Sequence, residues 1–138
     1  MKRFFVSFFC FLSGAAFAQD FQQRAESGER VMATEIGDAY MDAIAPALHE
    51  AVQTCRKYGL RMKPGEAVTL VAQVAQASGL SPIEVAPQTA ASECIAKQLQ
   101  AAKLPLPEKW DWEHGDFPLT LRIGFGRAAT PDRNGSGG

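Results

Sequence analysis

The chain has 138 residues, of which fourteen are basic, fifteen acidic and 46% hydrophobic. That length suits one domain with a core of its own. A mixed surface with a formal net charge of −1 carries no basic footprint for nucleic acid or anionic lipid, so neither partner is expected.

Lys2 and Arg3 open the chain, an apolar run follows from Phe4 to Leu12, and Ala16-Phe17-Ala18 forms a small-x-small site. This is the three-part layout of a secretory signal peptide, assigned here to residues 1–18. The apolar run is shorter than the roughly 20 residues that span a bilayer. Ser7-Phe8-Phe9 before Cys10 is not a lipoprotein pattern. The expected product begins at Gln19, is periplasmic or secreted, and has no membrane insertion after cleavage. All fifteen acidic residues but only twelve of the basic ones lie beyond residue 18, which leaves a net charge of −3.

Residues 19–33 are polar with little periodicity and are expected to be a loose lead-in. From Thr34 to Tyr58, Ile36, Tyr40, Ile44, Ala47, Leu48, Ala51, Val52 and Cys55 recur at three- and four-residue steps, a helical stripe. Thr34 suits the N-cap, Arg56 and Lys57 the last turn, and Gly59 the position after the C-cap. Pro46 predicts either a kink or the start of a second segment.

The period changes to two over Glu66–Ala75, with Val68, Leu70, Ala72 and Val74 on one face of a strand. Ser78-Gly79 marks a turn. Ile83 and Val85 alternate in a short second strand that Pro82 confines to an edge or to its beginning. Thr89 suits the cap of a second helix whose inward face is Ala91, Cys94, Ile95, Leu99 and Ala102. Pro105 and Pro107 favour an extended exit. Leu119, Leu121, Ile123 and Phe125 alternate with Thr120, Arg122 and Gly124 in a third strand, and residues 127–138 have the composition of a disordered tail.

Cleavage at residue 18 would remove Cys10 and leave Cys55 and Cys94, an even pair in an oxidising compartment. A disulfide is expected between the two helices; two separate buried thiols are the alternative. His49 and His114 show no ligand spacing to either cysteine, so no metal site is expected. The fold class is α+β: a two-layer sandwich in the order helix-strand-strand-helix-strand. Its three-stranded sheet is covered by two disulfide-linked helices, over residues 34–126.

That order, with its punctuation, resembles the TonB C-terminal-domain superfamily, in particular its small cysteine-containing exported variants. The resemblance covers about residues 44 to 125. It rests on the first helix ending at a cysteine near Tyr58, Gly65-Glu66-Ala67-Val68 opening the first strand, and the Ser78-Gly79 turn. It continues through the Glu93-Cys94 helix, Leu104-Pro105, and Phe117-Pro118-Leu119 before the last strand. TonB itself has a membrane-spanning start and a long proline-rich spacer. Without them, this chain is not expected to couple inner-membrane energy to an outer-membrane receptor as one polypeptide. What the resemblance implies is a binding domain whose last strand lies at a sheet edge and receives an extended peptide. The corresponding residues here are Leu119, Thr120, Leu121, Arg122, Ile123 and Phe125.

Trp110 and Trp112 lie two apart, so an extended chain would present both indoles on one face. Such a face could hold a peptide or glycan, or the rings could cover the open end of the core. No nucleophile elbow, His-Glu-x-x-His or phosphate loop occurs, and no catalytic or cofactor-binding residue is expected. The expected function is a non-catalytic module that binds an envelope or secreted protein. The alternative is a periplasmic small-ligand or glycan-binding protein that uses Trp110 and Trp112.

Overall fold

The computed structural model describes residues 13–124. The end of the third predicted strand at Phe125, the tail 127–138 and most of the signal segment lie outside the described residues. Among the described residues, no helix is long and apolar enough to cross a membrane.

Helix α1 runs Ser13–Met32 and α2 runs Glu35–Lys57. Thr34 caps α2, its Oγ1 accepting the Gly37 N–H at 3.2 Å. The helix passes through Pro46 without a break. Asp42 and Pro46 are both exposed, so the carbonyl left without its proline donor can turn to water. At the far end Gly59 takes φ +79°. There Gly59 N–H donates to Arg56 O and Leu60 N–H to Cys55 O, both at 3.0 Å, the paired bonds of a Schellman stop. Gly59 performs the role its position predicted.

Strand β1 spans Ala67–Ala75 and is the centre of an antiparallel sheet. The return strand is broken into β2, Gly79–Leu80, and β3, Glu84–Ala86, both pairing with β1 on one side. The short strand expected at Ile83 and Val85 corresponds to β3; β2 is an additional pairing beside the predicted Ser78-Gly79 turn, and Ser81-Pro82 separates the two because proline lacks the N–H a ladder needs. Helix α3, Ala90–Ala101, starts in a capping box between Thr89 and Ser92. The buried Ser92 hydroxyl also donates to Pro87 O at 2.7 Å. Ala102, expected on the inward face of α3, is instead its exposed C-cap, whereas Ser92 and Ala96 are buried. Strand β4, Phe117–Gly124, pairs with the other side of β1 along its whole length, from Val74↔Phe117 to Ala67↔Gly124.

The core lies between one face of this sheet and helices α2 and α3. Val68, Leu70 and Val74 from β1 meet Phe117, Leu119 and Leu121 from β4, with Tyr40, Ile44, Ile95 and Leu99 above them. Fully burying an aliphatic side chain of this size stabilises a fold by roughly 1.5–3 kcal/mol. Cys55 and Cys94 are joined in a disulfide with their Cα atoms 6.0 Å apart, linking α2 to α3 over this core.

Two expectations are corrected here. Residues 19–33 are not a loose lead-in: all but Ala33 belong to α1. The sheet is also not covered on one face only. Val71 and Thr120 are register partners that point away from the core, yet both are buried, and Thr120 Oγ1 donates to Ala25 O at 3.0 Å. Helix α1 therefore rests on the second face. It docks through Ala25 and Gly28, both buried, rather than through a stripe of large apolar residues. Periodicity built on such large residues does not register it.

Candidate functional site

Strand β4 is the site the resemblance points to, and its backbone orientation follows from its neighbours. Gln73 of β1 turns both its backbone groups toward the return strand: its N–H donates to Ser81 Oγ and its carbonyl accepts the Ser81 N–H, each at 2.8 Å. Strand residues alternate in this direction, so Val68, Leu70, Ala72 and Val74 aim their backbone groups at β4. Their partners Ile123, Leu121, Leu119 and Phe117 complete that ladder. The backbone groups of Pro118, Thr120, Arg122 and Gly124 then point outward, on the side where no described strand pairs with β4. Pro118 is accommodated without loss because its missing N–H falls on this outer side.

The side chains of β4 are already committed. Leu119 and Leu121 are buried in the core, with Ile123 partly buried against it. On the other face Thr120 bonds α1 and Arg122 forms an ion pair with Glu29 of α1. Arg24 pairs with Glu84 of β3 and, at 2.9 Å, with Asp20. The hydrogen bond to Glu84 is the main reason the Arg24 guanidinium is held more firmly protonated. What β4 still offers is main chain.

On the opposite edge the break between β2 and β3 is closed. Gln100 of α3 accepts the Ile83 N–H at 3.2 Å and donates to Leu80 O at 3.2 Å and Ser81 O at 2.9 Å. One side chain thus occupies the outward groups at the break between β2 and β3. Gln100 lies outside the inward face that the sequence predicts for its helix. A polar residue on a solvated helix face carries no signal that it will fold over a neighbouring strand.

The aromatic segment before β4 differs from its expected extended form. Trp110 is partly buried, with its ring edge-on to Phe117 at 5.0 Å, and its indole N–H donates to Gly115 O at 3.0 Å. Trp112 opens a 3₁₀ turn, Trp112–His114, capped by the Asp111 side chain. A turn replaces the period of two, so the shared extended face assumed for the two indoles does not form. Both rings pack against the core. Tyr40 lies edge-to-face with Phe117 at 5.1 Å, and its hydroxyl donates to Pro105 O at 2.8 Å, which pins the proline-rich approach. Burial pushes the Tyr40 phenol up to about 12. His114 Nδ1 meets Asp111 Oδ2 at 2.7 Å on an exposed surface. Among the described residues, no three His, Cys, Asp or Glu side chains gather into a group able to hold a metal.

No protein-family model, curated protein or solved structure matches this chain.

Proposed function

We propose that this protein is an exported, non-catalytic interaction module that binds an extended segment of an envelope or secreted protein along the outer edge of β4. The carrying observation is the contrast between the two sheet edges: Gln100 occupies the break between β2 and β3 on one, and no described strand pairs with the other. Thr120 is buried beneath α1, so the groups left for an added strand are the outward N–H and carbonyl of the exposed Arg122 and Gly124, with Pro118 contributing a carbonyl alone. Main-chain pairing would supply affinity, and the tied side chains on both faces of β4 would keep the edge straight for docking.

Export belongs to the same reading. The charged start, short apolar run and Ala16-Phe17-Ala18 site support cleavage before Gln19, and a disulfide is at home in an oxidising compartment. The TonB-like assignment is part of the proposal as well. From α2 onward the chain follows helix, strand, broken strand, helix, strand, the order on which the resemblance rests.

The test starts from co-purification of the disulfide-intact protein with envelope proteins, followed by amide hydrogen exchange on the captured complex. Protection of Arg122 and Gly124 is expected on binding. Arg122→Pro removes an outward donor without touching the β1 ladder and should abolish capture, whereas Arg122→Ala should retain it. Protection confined to Trp110 and Trp112 would instead select the small-ligand or glycan reading, and protection confined to the helices would overturn both.

A further inference from the structure

The end of α2 carries a second feature, and none of its residues belongs to β4. Arg56, Lys57, Arg61 and Lys63 place four cations within eight residues of a chain whose total charge is slightly negative. Two of them, Arg56 and Arg61, line a cavity of about 350 Å³ whose apolar walls include Val52, Leu60, Met62 and Ile95. That volume sits at the low end of small-ligand pockets, about 300–1,000 Å³. Complementing the negative end of a helix explains Arg56 and Lys57. It does not explain Arg61 and Lys63, which follow the Schellman stop, where Gly59 and Leu60 already satisfy the last carbonyls. Neither Arg56 nor Arg61 has an ion-pair partner among the described residues, and no acidic residue lines the cavity. The nearby Glu66 carboxylate accepts the Lys63 backbone N–H at 2.8 Å.

We infer that this cavity binds a small amphipathic anion: an oxyanion head held by Arg56 and Arg61, and a short apolar body laid against Val52, Leu60, Met62 and Ile95. Guanidinium groups suit this work because their planar donors match carboxylate and phosphate oxygens in pairs. The walls are held in place by covalent structure. Arg56 follows Cys55 and Ile95 follows Cys94, so the disulfide ties the two helices together beside the cavity. Opposite charge supplies selectivity for the head, and the apolar walls exclude fully hydrated ions such as acetate or inorganic phosphate.

The experiment is a titration of the disulfide-intact protein, followed by backbone amide shifts, with decanoate, decyl phosphate, the neutral decyl maltoside and acetate, all below their aggregation concentrations. Saturable shifts at Leu60, Met62 and Ile95 are expected with decanoate, decyl phosphate or both, and the tighter of the two identifies the head as carboxylate or phosphate. Neither decyl maltoside nor acetate should saturate. The R56Q/R61Q double variant should weaken anion binding at least tenfold, and Met62→Asp, which leaves both arginines in place, should do the same. Equal binding of decyl maltoside, shifts located elsewhere, indifference to both variants, or no binding by either anion would overturn the inference. Loss of strand-edge capture would leave it untouched, because that reading rests on other residues.

Discussion

Thr120 Oγ1 donates to the carbonyl of Ala25, 95 residues earlier in the chain, and so ties β4 to α1 across the second face of the sheet. The contact is close enough that a Cβ on Gly28 would overlap the Thr120 hydroxyl and crowd its backbone N–H. Gly28→Ala gains about 1 kcal/mol of intrinsic helix propensity. It also forces α1 off the sheet, and overpacking typically costs about 1–3 kcal/mol. The expected outcome is a net loss of stability, with faster amide exchange confined to α1. A denaturant midpoint and an exchange map on the same variant check both parts.

The Cys55–Cys94 bond closes a loop with a sequence separation of 39 residues. In the chain-entropy model such a closure stabilises by about 4 kcal/mol. A Cys55→Ser/Cys94→Ser variant is expected to keep its secondary structure and lose up to that amount. Non-reducing peptide mapping of the unaltered protein should find one linked pair and no free thiol beyond residue 18.

Tyr40 is 2% exposed, and its phenol is pushed up to about 12 by burial. An unfolded tyrosine titrates near 10, so between that pH and about 12 the folded chain holds a proton that the unfolded chain has released. Stability from this group is complete below pH 10 and falls as pH rises through the window. Tyr40→Phe should remove that slope. At neutral pH it should cost about 1 kcal/mol through loss of the bond to Pro105. Urea titrations of both proteins at several pH values provide the check.

Gln100 makes three hydrogen bonds to the backbone between Leu80 and Ile83. Gln100→Ala should raise hydrogen exchange at Ile83 by the cost of one or two such bonds, about 1–2 kcal/mol in protection. It also uncovers a second pairing edge, so self-association at high concentration is expected to increase. Sedimentation velocity on the variant and the parent measures that change.

The helices α2 and α3, with their caps Thr34 and Thr89 and the stop at Gly59, were legible in the sequence. So were the inward set of β1 and, on β4, Leu119, Leu121 and Ile123, although the buried Phe117 was not among the residues expected inward. These features depend on local spacing and on residue types whose backbone preferences act within a few positions. The pairing of the two cysteines was legible too, because both sit near the apolar stripes of helices that must cover the same small sheet.

What only the tertiary structure decided is how the two sheet edges and the second face are treated. Helix α1 packs through Ala25 and Gly28, whose small size lets the backbone approach Thr120 but leaves no strong hydrophobic period to read. Gln100 closes the break between β2 and β3, and Arg56 and Arg61 line one cavity, although each reads in sequence as an ordinary polar residue. A local pattern reports which side of an element turns inward. It does not report where a long polar side chain ends, because that depends on the element standing next to it in space.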